Sequence, residues 1–125
     1  MLIEFIRESD HLLMTIVEDI MMDNSREFFN EFDQIFEEQR SSLFSMSINF
    51  GEVKFMDSSG IGSIIKCTNK AKEFGINIIV FNMNKTLFSV FRLSGLQHIL
   101  ETMELPVFLD KYPDFKPYLS KYNEQ

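Results

Sequence analysis

The chain has 125 residues, 45 % of them apolar, which suits one hydrophobic interior and leaves no room for a second. A net charge of -7 offers no positive field to nucleic acid or to an anionic membrane surface. The longest apolar stretches, Leu12-Leu13-Met14 and Ile78-Ile79-Val80-Phe81, fall far short of the ~20 residues that span a bilayer.

Met1-Leu2-Ile3-Glu4 lacks the basic start and long apolar run of a signal peptide. A single cysteine, Cys67, excludes an internal disulfide and any CxxC metal or redox motif. The expectation is one soluble, cytoplasmic domain over residues 1–125, without nucleic-acid or membrane partners. The acidic excess is uneven. Residues 1–40 hold eleven Asp/Glu and three Lys/Arg, whereas residues 41–125 hold eight acids and nine bases. This reads as an acidic, solvated helix face or as a steering surface for a basic partner.

In chain order, residues 2–8 and 11–18 are two extended segments around Glu8-Ser9-Asp10, a hairpin-like start. From Asp23-Asn24 the period changes. Phe28, Phe29, Phe32, Ile35 and Phe36 recur at helical spacing over about 25–39, with Asn24 as the expected N-cap and Glu27 completing a capping box. Residues 43–50 alternate, with Phe44, Met46, Ile48 and Phe50 on one side and Ser45, Ser47 and Asn49 on the other.

After Gly51-Glu52, the lead Val53-Lys54-Phe55-Met56 enters Asp57-Ser58-Ser59-Gly60-Ile61-Gly62 and a helix. Its apolar side is Ile61, Ile64, Ile65, Thr68 and Ala71, its polar side Ser63, Lys66, Lys70 and Glu73, and Gly75 suits a left-handed stop. Ile76 to Phe81 is a strand covered on both faces, and a third helix near 85–94 ends at Gly95. Beyond about 105, the three prolines and the aromatics Tyr112, Phe115, Tyr118 and Tyr122 permit a short strand and a late helix that covers the sheet edge. The alternation argues an α/β fold, a mixed sheet with helices packed against it.

Chemistry-bearing residues are few. His11 and His98 share no spacing with acids or thiols, so neither a metal site nor a catalytic imidazole is implied. Cys67 sits mid-helix among apolar residues and reads as packing. Gly60-Ile61-Gly62 begins a dinucleotide-type turn, but Ile65 occupies the third glycine position. What remains is Asp57-Ser58-Ser59-Gly60 at a strand-to-helix junction. Ser58 is expected at or near the N-cap, where two readings fit: capping alone, or a hydroxyl displayed for phosphorylation beside unpaired N–H groups.

The run Phe55-Met56-Asp57-Ser58-Ser59-Gly60-Ile61-Gly62, with Asn49 before it and Leu93-Ser94-Gly95-Leu96 after it, resembles the signature of bacterial anti-sigma factor antagonists. These are single-domain members of the STAS superfamily, and the likeness covers about residues 3–101. The resemblance implies a four- to five-stranded sheet, no enzymatic activity, no cofactor or metal, and a role in partner switching. The unphosphorylated antagonist would bind an anti-sigma factor that is also a serine kinase, and so free a sigma factor. The kinase would phosphorylate Ser58, with Ser59 as second candidate, and a metal-dependent serine phosphatase would reset the switch. Asp57, Ser58, Ser59, Gly60, Ile61, Gly62, Ser63 and Lys66 would form the partner surface, Gly60 and Gly62 allowing close approach and Lys66 and Lys70 steering an acidic partner. Two alternatives share the signature: a regulator in a phosphosignalling pathway without a sigma factor, and a module that binds a nucleotide or small ligand at the Gly60–Gly62 turn. The chain departs from the family at Glu18-Asp19-Ile20-Met21, where a Gly-Glu-Leu-Asp-like segment is usual and the last acid is missing. Its tail, residues 105–125, is atypical.

Overall fold

A computed structural model describes residues 1–123. Strand β1 (Ile3–Glu8) turns through Ser9-Asp10 into β2 (His11–Ile16), and the two pair antiparallel from Ile3 with Ile16 to Glu8 with His11. The tight turn needs a left-handed residue, Ser9 (φ 56), whose carbonyl accepts a hydrogen bond from Arg7 Nε at 2.9 Å. Then follow α1 (Ser25–Gln39), β3 (Ser45–Asn49), α2 (Ser58–Glu73), β4 (Ile78–Phe81), α3 (Lys85–Leu93) and β5 (Glu101–Met103). Strand order is β1-β2-β3-β4-β5, with every pair after the first parallel. The mixed five-stranded sheet with helices is the architecture expected from the sequence.

Successive crossovers of one hand put α1, α2 and α3 on one face. There Leu12, Met14, Ile16, Met46, Ile48, Ile78 and Val80 form one core with Phe28, Phe32, Phe36, Ile64, Ala71, Leu87 and Phe91. The aromatic stripe of α1 is thus core, as its spacing predicts. Gly75 (φ 73) and Gly95 (φ 75) end their helices in the left-handed region, also as expected. Glu31, on α1, fastens the chain start: its carboxylate accepts from the backbone N–H of Leu2 (3.0 Å) and Ile3 (2.6 Å).

Three expectations change. Asn24 precedes α1 but makes no side-chain cap, and Glu27 is exposed. The Asn24 amide reaches backwards instead, accepting from Met21 N–H (2.8 Å) and donating to the Asp19 carbonyl (3.0 Å). Phe44 lies before β3 and is 77 % exposed, so the buried apolar row begins at Met46. The tail covers a face of the sheet rather than its edge. Helix α4 (Leu105–Lys111), a 3-10 turn at Pro113–Tyr118 and the short α5 (Ser120–Asn123) lie over the side opposite the helices, where Leu13 and Phe81 pack with Leu105, Phe108, Leu109, Phe115 and Leu119. Pro106 and Pro113 each stand in a first turn, where a missing N–H costs nothing.

Candidate functional site

The connection from β3 to α2 carries the singled-out motif. Asp57 adopts extended backbone (φ -89, ψ -175) and is the N-cap of α2, one carboxylate oxygen accepting from Gly60 N–H at 2.9 Å. The other oxygen accepts from Met22 N–H, also at 2.9 Å. These bonds, the one from Gly60 foremost, hold the Asp57 carboxyl below the ordinary carboxylate range. The cap is therefore Asp57 and not Ser58. Ser58 is the first helical residue, and its side chain is exposed.

The remaining motif residues divide into two groups. Ser59, Ile61 and Gly62 are half-buried at the surface and Lys66 is exposed, its ammonium 5.9 Å from the centre of the Phe29 ring. A side chain at Gly62 would meet open space. Gly60 and Ser63 face inwards, against the expectation that they belong to the partner surface. A Cβ on Gly60 would stand 2.2 Å from the Ile20 carbonyl oxygen, so its smallness serves a close approach inside the protein. The Ser63 hydroxyl is satisfied internally, donating to the carbonyl of Ser25 (3.1 Å) or Ser59 (3.2 Å). Lys70 is also withdrawn from a steering role: Asp33 (3.1 Å) and Glu37 (2.9 Å) neutralise it, and Lys70 and Glu37 shift each other's pKa up and down through that hydrogen bond.

Two exposed apolar side chains that periodicity did not single out flank the motif: Met22 (78 % exposed), beside Asp57 through its backbone bond, and Phe55 (43 %). The pairing of Met22 with Asp57 spans 35 residues, and no local pattern signals it.

Other groups are committed to the fold. Cys67 is buried, which pushes its thiol pKa well up. No cluster of three or more metal-ligating side chains occurs among the described residues. A groove of about 870 Å³ opens at the ends of β4 and β5, lined by Asn82, Asn84, Phe88, Thr102, Leu105 and Tyr122 among others. A second of about 600 Å³ adjoins it, and neither touches the Gly60–Gly62 turn. No helix among the described residues is long and apolar enough to cross a membrane.

A comparison with solved structures finds the same fold in proteins of low identity. RsbS of Moorella thermoacetica superposes with a TM-score of 0.71 at 14 % identity, covering 92 % of this chain and 97 % of that one. Phosphorylated SpoIIAA, a cell fate determinant of Bacillus, gives 0.62 at 16 %, covering 87 % and 97 %. An anti-sigma factor antagonist of Mycobacterium paratuberculosis gives 0.65 at 15 %, covering 80 % and 82 %. Among curated proteins, the anti-sigma-B factor antagonists of Listeria monocytogenes and Listeria innocua are each 29 % identical over 56 residues. That match covers 45 % of this chain and 49 % of each relative, so the chain spans about half the length of the curated relatives it matches. The STAS domain model matches residues 3–110, from the first strand into α4. With nearly nine-tenths of its length inside that match and the corresponding sheet beneath it, the chain belongs to the STAS domain family.

Proposed function

We propose that this chain is an anti-sigma factor antagonist that works by partner switching. Unphosphorylated, it binds an anti-sigma factor that is also a serine kinase, and a sigma factor is released. Phosphorylation of Ser58 ends the complex, and a metal-dependent serine phosphatase restores it. The chain performs no catalysis of its own and acts in the cytoplasm. The observation that carries this reading is the exposed hydroxyl of Ser58 at the first position of α2, immediately after a capping aspartate. The Listeria relatives bear the antagonist name and support the same role.

The magnitudes suffice. A phosphate adds about -1.5 to -2 charges without touching the core. Within ~4 Å of a partner carboxylate, each unit pair costs roughly 4 kcal/mol at an effective dielectric of about 20, and surface screening reduces this to about 1–2 kcal/mol. Desolvating the phosphate against a packed partner adds a comparable amount. A total of about 2–4 kcal/mol weakens binding about 30- to 1000-fold. Asp57 adds a fixed negative neighbour. The partner surface reduces to Asp57, Ser58, Ser59, Ile61, Gly62 and Lys66, with Met22 and Phe55 contributing apolar area.

The test is phosphorylation by the cognate anti-sigma kinase with ATP, read by mass spectrometry. One phosphate on Ser58 is expected, and none on a Ser58→Ala protein. Equal labelling of Ser58→Ala would overturn the assignment, and a phosphate mapped to Ser59 would move it by one residue. In binding assays, Ser58→Glu is expected to lose at least about tenfold in affinity for the kinase.

A further inference from the structure

The segment that delivers Ser58, residues 53–57, belongs to neither strand nor helix, so its backbone N–H groups need acceptors from elsewhere. One side chain supplies two of them, while Val53 N–H donates to the Phe50 carbonyl at 3.1 Å. An Asp19 carboxylate oxygen accepts from Lys54 N–H at 2.7 Å and lies 3.3 Å from Phe55 N. Asp19 is itself fixed, because its carbonyl accepts from the Asn24 amide, which also takes up Met21 N–H.

Further along, the same two segments remain joined. Ile20 bridges Met56 in parallel, Asp57 accepts from Met22, and the Ile20 carbonyl fills the space that Gly60 leaves open. Residues 19–22 and 54–57 thus run side by side as a continuation of β2 and β3. In the strands Thr15 pairs with Asn49, a spacing of 34, whereas Ile20 pairs with Met56, a spacing of 36. The Gly51-Glu52 turn takes up the two extra residues. Within residues 19–22, the Asp19 carboxylate is turned onto the backbone of Lys54 and Phe55.

We infer that Asp19 is the positioning residue of the phospho-acceptor: its carboxylate sets the path of residues 54–57 and so presents Ser58 in one geometry to the kinase. This rests on the reading of Ser58 as acceptor. A loop without that anchor must be ordered by the kinase, and the ordering cost falls on binding rather than on phosphoryl transfer.

The chain supplies its own control in Glu31, another carboxylate that accepts two backbone N–H groups, those of Leu2 and Ile3, on a different part of the fold. Amide hydrogen exchange and steady-state phosphorylation by the cognate kinase are measured for wild type, Asp19→Ala, Asp19→Asn and Glu31→Gln. In Asp19→Ala, exchange at Lys54 and Phe55 should rise about tenfold or more, and the kinase KM by a similar factor, with kcat within about twofold. Asp19→Asn keeps an oxygen acceptor and should shift both in the same direction by less, and it serves alone should Asp19→Ala not fold. Glu31→Gln should speed exchange at Leu2 and Ile3 and leave KM unchanged. A wild type that takes phosphate while the Asp19 variants keep its exchange rates, or its KM, overturns the inference alone. So does an equal rise in KM for Glu31→Gln. A wild type that takes no phosphate on Ser58 overturns the functional reading and the inference together.

Discussion

The two faces of the sheet are covered by different means. Towards α1, α2 and α3, the buried strand residues are all Leu, Met, Ile or Val, and the core there depends on apolar area and close packing. Towards the tail, β2 and β3 present His11, Thr15, Ser45, Ser47 and Asn49 beside Leu13. Burying such a row without partners would be costly, so this face is held by matching donors to acceptors. The His11 ring nitrogens lie 2.6 Å from Ser45 Oγ and 2.8 Å from Ser47 Oγ, while Phe108, Tyr112 and Phe115 surround the ring. Asn49 accepts from Gly51 N–H (3.0 Å) and from the Asn82 amide (3.1 Å), and its own amide donates to Thr15 Oγ1 (3.3 Å) and Tyr122 Oη (3.4 Å). The helical face tolerates any apolar cover of the right shape, whereas the tail face accepts only a cover that leaves these groups paired.

The largest expected effect asks whether the tail is core or ornament. Phe108 is fully buried and stacks on Phe81 with ring centres 3.8 Å apart. Phe108→Ala should destabilise by about 3–5 kcal/mol, as much as Phe32→Ala on the helical face. Urea unfolding at unchanged slope measures both. A cost below about 1 kcal/mol for Phe108→Ala alone would show the tail to be loosely docked, and the comparison of faces would fail.

Acid distinguishes the faces next, because the helical face offers the sheet nothing to protonate. Burial lowers the His11 pKa from 6.5 to about 4, opposed by neighbouring Asp10 and aided by Lys111 on α4. The folded state therefore binds this proton less readily than the unfolded chain does. The stabilisation is fully present above about pH 6.5 and is lost as pH falls from there towards about 4. The loss attributable to His11 should reach about 2–3 kcal/mol. Carboxylates held low in the folded state, such as Asp57, lose their stabilisation only at lower pH, so the informative quantity is the difference between wild type and His11→Gln across pH 4–7. A difference that does not change with pH would mean that the ring takes up its proton as readily beneath the tail as in the unfolded chain.

How legible each face was follows from the same contrast. Periodicity reports apolar burial, so the helical face could be read directly: Phe28, Phe32 and Phe36 at helical spacing, and Met46 and Ile48 alternating. The polar row of β3 was visible as alternation, but nothing local showed that Ser47 and Asn49 are buried, or that both His11 nitrogens meet hydroxyls 34 and 36 residues away. Asn49 stood out only through family resemblance. The junction between β3 and α2 was likewise legible in type and not in detail. Asp-Ser-Ser-Gly announced a helix start, but Asp57 won the cap because its carboxylate reaches Gly60 N–H while also holding Met22. The inward turn of Gly60 and Ser63 follows from the Ile20 and Ser25 carbonyls, which come from a remote connection.

The smallest effect is the sharpest test of matching. Tyr122 ends the tail by donating its hydroxyl to Glu52, near Lys121, while accepting from Asn49; burial, followed by the Glu52 bond, raises its pKa. Tyr122→Phe keeps the ring and removes only the hydroxyl, so area-based cohesion predicts almost no change, whereas donor–acceptor matching predicts a loss of about 1 kcal/mol. Gly51 lies beneath that ring, where an added Cβ would stand 2.5 Å from the Tyr122 ring and from the Asn82 amide. Gly51→Ala should therefore dislodge the same anchor by steric means, and combining it with Tyr122→Phe should cost less than the two separate losses added together. Strict additivity would mean that the hydroxyl and the close approach act independently, and that the tail is held over Asn49 by packing after all.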